Sequence, residues 1–407
     1  MSRKAETSGA SGPAMGRRGP LRRRLRRAAA LLVLLWLVVV GWMAHERGAH
    51  VWGPVHLQWL FSRPDSRPEP VHVVFLIVDH FEPGRRSEAM DEWTAKRPGI
   101  AKRHADSAGR PPQCSWFYPE EQYREWQVAQ SRELRDQGLG EVQVHLHHGG
   151  DTSRSLRDQL RRAKAHLLPG GAAKGAKQQF VFVHGNWALD NSRPAEGADN
   201  YCGVNDEITV LREEGCAADM TFPTLVHQAQ PRTIDQIYYA VDDPERPKSY
   251  DTGVRATVGE TDENTGLLMI PGPLLVNWRE WHALHPTIED GCIQGNNPPS
   301  PQRVDSWVVA GIGVEGAENW VFVKVHLHGA SKDTRPVVLG KPMDDMFSYL
   351  EKHYNDGKHY VLHYVRASEA VALVHALERG DSDPLPQALA SPGKTASTGA
   401  TSVDMRR

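Results

Sequence analysis

The longest uninterrupted apolar run of the chain lies near its N-terminus. Residues 28–44 read AAALLVLLWLVVVGWMA and carry no charge, and a helix of about 17–25 such residues can cross the hydrocarbon core of a bilayer. Nine of the 27 residues before this run are Lys or Arg, and such basic clusters remain on the cytoplasmic side of a membrane. The pattern predicts a basic cytoplasmic segment over residues 1–27, one transmembrane helix over residues 28–44 and an exported remainder.

A cleaved secretory signal is the alternative interpretation of this run. The apolar core of such a signal spans roughly 7–15 residues and precedes a cleavage site of the A-x-A type. The run here is longer, and no such site follows it before His45. We therefore expect an uncleaved, single-pass anchor in a bacterial cytoplasmic membrane, with the C-terminal part periplasmic or extracellular.

Beyond residue 70, apolar runs alternate with helical patterns. Val71–His80 is a continuous run rich in β-branched residues, which is typical of a strand buried on both faces. The other predicted strands are Glu141–His148, Gln178–Gly185, Cys216–Pro223, Asn319–Gly329 and His359–Val365, and the predicted helices are Ser153–Leu168, Asn205–Cys216, Pro342–Tyr354 and Ser368–Gly380. This alternation predicts a mainly parallel sheet covered by helices. Because no G-x-G-x-x-G follows the first strand, an irregular (β/α) barrel fits better than a dinucleotide-binding fold.

Two segments flank this α/β region. Residues 45–70 end in SRPDSRPEP, whose prolines and charges discourage packing, and are predicted to form a stalk. Residues 380–407 are rich in Ser, Pro, Ala, Gly and Thr with little to bury, and are predicted to be a disordered tail. The folded domain is therefore expected over residues 71–379.

The charge balance bears on the kind of partner. Taking the nine basic residues and one acidic residue of segment 1–27 from the totals of 48 and 50 leaves 39 basic and 49 acidic residues. Phosphate backbones are bound by basic surfaces. We therefore expect no nucleic-acid partner.

The cysteines allow disulfides but not a zinc ribbon. The four residues include no C-x-x-C pair, and in an oxidising compartment they could form up to two bridges. Cys202 and Cys216 bracket a single predicted helix, so this is the first pairing to test. Spacing alone does not fix the connectivity.

Four predicted strands end in side chains that can bind a metal ion. These ends are Asp79-His80, His145-Leu146-His147-His148, His184-Gly185-Asn186-Trp187 with Asp190 close behind, and His326-Leu327-His328. A single histidine at a strand end is more often a hydrogen-bonded or surface residue than a ligand. Four such ends should converge, however, because functional groups gather at the carboxyl ends of parallel strands.

The type of these side chains suggests a divalent metal, with zinc as the first choice. Zinc binds imidazole nitrogens and carboxylate oxygens, and a catalytic site leaves one position for water. Since side chains two apart on a strand share a face, His145 and His147 can present two imidazoles to one ion. Aromatic residues suit the apolar faces of sugar rings, and two or three of those in predicted loops are expected to line a cleft. The candidates are Trp116, Phe117, Tyr118, Trp126, Trp187, Trp278, Trp281 and Trp307.

The order of these motifs resembles that of the polysaccharide deacetylases, the carbohydrate esterase family 4 group of the glycoside hydrolase/deacetylase superfamily. The resemblance covers residues 71–379 and implies an irregular (β/α) barrel that removes N- or O-acetyl groups with a divalent metal. The family's strand ending in Thr-Phe-Asp-Asp resembles Ile77-Val78-Asp79-His80. This correspondence implies that Asp79 is the catalytic base and that His80 is a metal ligand in place of the second Asp.

Two further motifs extend the resemblance. The family's His-x-x-x-His before a helix is similar to the segment from His145 to Asp151, which implies His145 and His147 as ligands with His148 close behind. The family's Leu-x-His strand end is similar to the segment ending in His328, which implies that His328 is the general acid. The Arg-x-Pro-Tyr motif has only a loose counterpart in residues 182–187, so the resemblance is to a divergent branch.

Together these features predict a membrane-anchored, metal-dependent hydrolase that deacetylates a cell-envelope or extracellular polysaccharide. Three alternatives remain open. A metal-dependent phosphoesterase also uses H-x-H followed by a turn with Asp. A glycoside hydrolase needs a carboxylate pair, for which Asp79 with Asp190 is the candidate. A glycan-binding protein would retain the fold without catalysis.

Overall fold

The computed structural model describes residues 19–62, 66–85, 87–168, 177–193, 200–225, 228–260, 266–282 and 285–389. The chain forms two compact units, residues 1–47 and residues 48–407. The first contains helix α1 (Gly19–Glu46), whose stretch Arg22–Glu46 includes an 18-residue window with a mean hydropathy of 2.2 and no buried residue. By length and composition α1 can cross a membrane, and a signal sequence meets the same criterion. Residues 1–18 of the predicted basic segment lie outside the described residues.

The second unit is a mixed α/β structure. Its strands are β1 (Val71–His80), β2 (Cys114–Pro119), β3 (Gly140–Leu146), β4 (Phe180–His184), β5 (Cys216–Asp219), β6 (Tyr238–Ala240), β7 (Gly253–Arg255), β8 (Leu267–Met269), β9 (Leu275–His282), β10 (His285–Glu289), β11 (Cys292–Ile293), β12 (Trp320–Leu327) and β13 (Tyr360–Tyr364). Its α-helices are α2 (Ala49–Ser62), α3 (Glu88–Ala101), α4 (Glu125–Asp136), α5 (Ser153–Leu167), α6 (Glu207–Glu213), α7 (Pro301–Ala310), α8 (Arg335–Val338), α9 (Lys341–His353), α10 (Ala367–Glu378) and α11 (Pro384–Leu389).

One large sheet organises this unit. Its strand order is β11-β12-β1-β2-β3-β4-β5-β8-β6-β7, with β13 beside β1. The pairings from β11 through β8 are parallel, and β6 pairs antiparallel with β7 and β8. Within the described ranges no pairing joins the edge strands β11 and β7. The mainly parallel α/β class is as predicted, whereas closure into a barrel is not confirmed, because an antiparallel edge ends the sheet.

Strand β1 is buried on both of its faces, as its continuous apolar run predicts. Consecutive side chains of a strand point to opposite faces. Phe75 and Ile77 accordingly belong to one hydrophobic core, and Val74 and Leu76 belong to the other. The same alternation sends neighbouring polar residues at the strand ends to different faces.

The predicted stalk contains a packed helix. Trp52 of α2 is 2% exposed and lies in a small core with Ile234 and Leu274. His56 Nε2 accepts the backbone N–H of Val276 at 3.3 Å. The prolines on which the stalk prediction rests come after this helix. The apolar residues before them form α2.

The predicted disordered tail begins as ordered chain. Helix α11 covers part of it, and its Ala388 is buried in the same core as α10. Residues 390–407 lie outside the described residues. The boundary predicted at residue 379 therefore omits one short packed helix.

Candidate functional site

The strands that end in polar residues meet at one edge of the sheet. Strands β12, β1, β3 and β4 run parallel, with β2 between β1 and β3. In the register of these pairs, Asp79 lies beside Leu327 and Leu146 lies beside His184. The four polar strand ends are therefore neighbours at the carboxyl edge, where ligands of open parallel sheets bind.

His80, Glu82 and His145 form one compact cluster, named here the His80 group. Their ligand atoms all lie within 4.8 Å of one another. His145 Nδ1 lies 3.1 Å from the backbone oxygen of Val183, and a carbonyl only accepts, so Nδ1 is the donor and Nε2 is the nitrogen that faces the rest of the group. That Nε2 lies 3.1 Å from Glu82 Oε1. An imidazole whose other nitrogen donates to a carbonyl is the usual arrangement of a metal-ligating histidine.

His80 is the most isolated polar side chain of this group. It is 1% exposed, and neither of its ring nitrogens has a hydrogen-bond partner. The ring centroids of His328, His145 and His326 lie 4.8, 5.1 and 6.1 Å from its own. Burial, with the charges of these neighbours, holds the pKa of His80 well below its ordinary value. A neutral buried imidazole without a partner is unfavourable, and a cation bound by its lone pair would compensate for this.

His147 contacts the His80 group but is held by carboxylates. Its Nδ1 lies 2.6 Å from Glu121 Oε1, and its Nε2 lies 3.2 Å from Glu82 Oε1. Burial lowers the pKa of His147, but the hydrogen bonds with Glu121 and Glu82 outweigh burial and raise it to about 9. For Glu82, burial raises the pKa. The hydrogen bonds from His145 and His147 outweigh burial and hold the pKa of Glu82 well below its ordinary value. His147 thus lies between two carboxylates, and its role as a metal ligand stays a prediction.

Asp79 lies on the opposite face of β1 from His80. It is fully buried, and its Oδ1 accepts the backbone N–H of Gly329 at 2.7 Å. The Gly329 oxygen accepts from Trp93 Nε1 at 3.0 Å. Burial raises the pKa of Asp79 well above its ordinary value. The residue predicted as catalytic base therefore fixes the chain directly after His328.

A second cluster comprises His148, His184, Cys202 and Glu207. All four are buried, their ligand atoms lie within 4.8 Å of one another, and the cluster could hold a metal ion. Glu207 is its centre. One carboxylate oxygen of Glu207 lies 3.0 Å from His148 Nε2, and the other accepts from the Asp190 backbone at 2.6 Å and from Cys202 Sγ at 3.2 Å. This buried carboxylate has hydrogen-bond donors from the protein itself.

The two histidines of this Glu207 cluster have different proton states. His148 lies between Glu207 and Asp151, which overcome the lowering effect of burial and raise its pKa to about 9. His184 Nδ1 accepts the backbone N–H of Asn186 at 3.2 Å, so its ring proton is on Nε2, which has no hydrogen-bond partner. Burial keeps the pKa of His184 well below its ordinary value.

The loop after β4 supports the Glu207 cluster. Asn186 Nδ2 donates to the His148 oxygen at 2.9 Å. Asp190 is buried, its Oδ2 accepts the backbone N–H of Ser249 at 2.6 Å, and burial raises its pKa to about 8. The carboxylate pair considered for a glycoside hydrolase thus consists of two buried groups, each engaged by a backbone N–H.

The pairing of Cys202 with Cys216, which was the first to test, is not formed in the structure. Both thiols are free. Cys202 Sγ contacts Glu207, whereas Cys216 Sγ donates to the Ala218 oxygen. Each sulfur faces an acceptor near it in sequence, which places the two thiols in separate surroundings.

An open cavity of about 410 Å³ is lined by His148 of the Glu207 cluster and by His147, which contacts Glu82 of the His80 group. Its lining residues are His147, His148, Gly149, Gly150, Asn186, Asn200 and Tyr201. The side chain of Glu82 is 28% exposed, so solvent can reach the His80 group. All four residues of the Glu207 cluster are buried. Of the aromatic candidates, Trp116 and Trp307 are buried core residues, and Trp187 lies 5.6 Å from the His80 ring.

Sequence reasoning did not select several acidic and thiol residues of these clusters. Glu82 carries a signal, because it follows the first polar strand end by two residues. Glu121, Cys202 and Glu207 carry none, since they lie in segments whose pattern does not place them near a strand end. Neither protein-family models nor curated proteins give a match to the sequence.

Proposed function

We propose that the protein is a metal-dependent hydrolase of the polysaccharide deacetylase type, anchored in a bacterial cytoplasmic membrane and acting on an acetylated glycan outside the cytoplasm. The observation that carries this proposal is the His80 group, in which His145 Nε2 lies 3.1 Å from Glu82 Oε1 and both buried ring nitrogens of His80 lack a hydrogen-bond partner. The motif order supports the choice of reaction. The open sheet would then be a divergent form of the family's irregular barrel.

The residues that would hold the ion are His80, Glu82 and His145. Two imidazole nitrogens and one carboxylate oxygen are the donor set of catalytic zinc sites, which keep a further position open. A bound zinc ion would supply Lewis-acid polarisation of the acetyl carbonyl and a water that deprotonates near neutral pH. Partial exposure of Glu82 gives substrate access to this position.

Proton transfer is assigned to His328. Its ring lies 4.8 Å from the His80 ring, and it is partly exposed. In this mechanism His328 takes the proton of the attacking water and returns it to the departing amine or alkoxide. Asp79, assigned as the base by resemblance, instead positions the backbone after His328 through its bond to Gly329.

The cavity beside the His80 group suits a hydrophilic substrate. Asn186 and Asn200 line it with polar side chains. The guanidinium of Arg193 lies 3.7 Å over the ring of Tyr201, which adds a cationic group beside this lining. Glycan recognition is therefore favoured over binding of an apolar ligand. The excess of acidic residues beyond the basic N-terminus argues against nucleic acid.

The test is acetate release by the full-length, zinc-loaded protein from N-acetylated and O-acetylated oligosaccharides. We expect activity that a chelator removes and zinc restores. His328→Ala should lower the rate by about 10²–10⁴-fold, the usual contribution of acid–base catalysis. His166→Ala is the matched control, because His166 pairs with Glu120 outside this site.

Two outcomes contradict the proposal. Folded, metal-loaded protein that releases no acetate from any acetylated glycan would exclude the deacetylase. Hydrolysis of phosphate esters without acetate release would select the phosphoesterase alternative.

A further inference from the structure

The second unit carries an apolar surface formed by α2 and the β9–β10 hairpin. Its most exposed members are Leu57 and Phe61 on α2, at 56% and 90%, and Trp278 and Trp281 on β9, at 59% and 52%. These four residues are named here the aromatic surface. Large apolar side chains exposed on two elements that pack together indicate an interaction site rather than ordinary surface.

Packing joins the two elements that carry these exposed side chains. Trp52 and Val55 of α2 pack with Val276 of β9 in one small core, and His56 Nε2 accepts the Val276 N–H at 3.3 Å. The pairing of the hairpin shifts register between Asn277 and Trp281, so Trp278 lies in a bulge of β9. Trp278 and Trp281 are therefore exposed on the same hairpin that packs against α2.

The tryptophans of the hairpin are held together. The ring centroids of Trp278 and Trp281 lie 6.1 Å apart, and Trp281 Nε1 donates to the Trp278 oxygen at 3.0 Å. On α2, Leu57 and Phe61 are four residues apart and so lie on one side of the helix. The surface thus presents two ordered pairs of large apolar side chains.

The composition of α2 indicates which environment suits it. Its sequence, AHVWGPVHLQWLFS, contains no Lys, Arg, Asp or Glu. A helix that faces bulk water on one side normally carries charged residues there. Tryptophan, by contrast, is enriched where hydrocarbon meets polar headgroups, because its ring is apolar and its N–H is polar.

Chain connectivity limits how far this helix can be from a membrane. Helix α1 ends at Glu46 and α2 begins at Ala49, and three residue steps span at most about 10 Å. If α1 crosses a bilayer, α2 begins within that distance of its interface. We propose that the aromatic surface docks on the lipid headgroup region of the membrane that α1 spans, so that the catalytic unit is held against the bilayer.

This proposal rests on the membrane anchor of the proposed function and not on its chemistry. The probe is a nitroxide label at an introduced cysteine in the full chain, reconstituted in phosphatidylcholine–phosphatidylglycerol vesicles. The four native cysteines are buried, so an exposed new thiol is labelled selectively. Phe61→Cys and Trp278→Cys test the surface, and Lys341→Cys is the control because that side chain is 81% exposed on α9.

We expect the labels at positions 61 and 278 to collide several-fold less with a water-soluble nickel chelate, and more with oxygen, than the label at position 341. Equal collision rates at the three positions would overturn the proposal. So would protection that comes with spin–spin broadening between like labels, because that identifies a second copy of the chain as the occupant. Extraction of the chain from the vesicles by carbonate would refute both docking and anchor, while acetate release would still test the chemistry.

Discussion

At the scale of single residues, the position of one imidazole proton distinguishes the two clusters. His145 donates through Nδ1 to Val183, which leaves Nε2 as a ligand atom. His184 accepts a backbone N–H from Asn186 through Nδ1, which leaves the proton on the nitrogen that points at the Glu207 cluster. A metal ligand must offer a lone pair. The first equivalent of metal should therefore bind to the His80 group.

Cobalt substitution tests this assignment. Only the Glu207 cluster contains a sulfur, from Cys202, so binding there would give an intense thiolate-to-cobalt charge-transfer band. We expect one equivalent of Co²⁺ to bind without that band, and His145→Ala to abolish binding while Cys202→Ser leaves it unchanged. Absorption spectra and metal content check these outcomes. A charge-transfer band that Cys202→Ser removes would contradict the assignment.

Asp235 gives a prediction on pH dependence away from both clusters. Its Oδ1 accepts the backbone N–H of Leu274 at 2.8 Å, and burial raises its pKa from the ordinary 3.8 to about 8. Between these values the unfolded chain is ionised and the folded chain is protonated. The stabilisation from protonated Asp235 is therefore fully present below pH 3.8. As the pH rises from 3.8 towards 8, the free energy of unfolding falls by about 1.4 kcal/mol per pH unit.

Asp235→Asn should remove this slope. Asparagine keeps the acceptor oxygen, cannot ionise and tolerates the left-handed backbone of this position, where φ is 52°. Urea unfolding at pH 5 and pH 8 should show the variant gaining stability relative to the natural chain as pH rises. Asp158→Asn is the control, since that side chain is 55% exposed. The prediction would be contradicted if the difference in the free energy of unfolding between the variant and the natural chain were the same at pH 5 and pH 8.

At the scale of elements, the sequence predicts what local pattern determines. The continuous apolar run gives the bounds of β1, and the amphipathic period gives α5 to within one residue. Helix α3 is missed because it contains Pro98 and Gly99, and β2 is missed because CSWFYP is short and mixed. Closure of the sheet depends on distant pairings of three-residue strands such as β6 and β7, for which no local pattern exists.

The chain just after β12 has no room for a side chain at Gly329. A Cβ at Gly329 would lie 2.6 Å from Trp93 Cζ2 and closer still to Asp79 Oδ2. Both neighbours are buried and hydrogen-bonded to this glycine, so they have little room to move. Gly329→Ala should lower the free energy of unfolding by about 1–3 kcal/mol, as overpacking does.

Gly99→Ala is the matched control for this prediction. Gly99 lies inside α3, and an added Cβ would meet nothing within 4 Å. Its replacement should raise stability by about 0.5–1 kcal/mol, because alanine is the better helix former. Denaturant midpoints measure both changes. A Gly329→Ala variant as stable as the natural chain would contradict the prediction, because Trp93 and Asp79 would then make room for the Cβ without a loss of stability.

At the scale of the whole molecule, the histidines of the four strand ends divide between two faces of the sheet. His184 pairs with Leu146, the residue after His145, so strand alternation places His145 and His184 on opposite faces and in different clusters. The sequence therefore predicts their gathering at one edge but assigns them to a single ion. Cys202 and Glu207 complete the second cluster from segments beyond β4, and such long-range contacts follow only from the tertiary fold.

The anchor is a property of the entire chain and can be tested as such. An arginine near the centre of a membrane helix is unfavourable by about 2.5–3.5 kcal/mol, so Leu34→Arg with Val38→Arg should release full-length protein from the carbonate-washed membrane fraction. Leu25→Arg is the position-matched control, because residue 25 lies among the flanking arginines. Immunoblots of both fractions measure the distribution, and the intact mass of the chain distinguishes anchor from signal. A mature protein shortened near residue 44 would show that the helix is removed and that the folded unit works untethered.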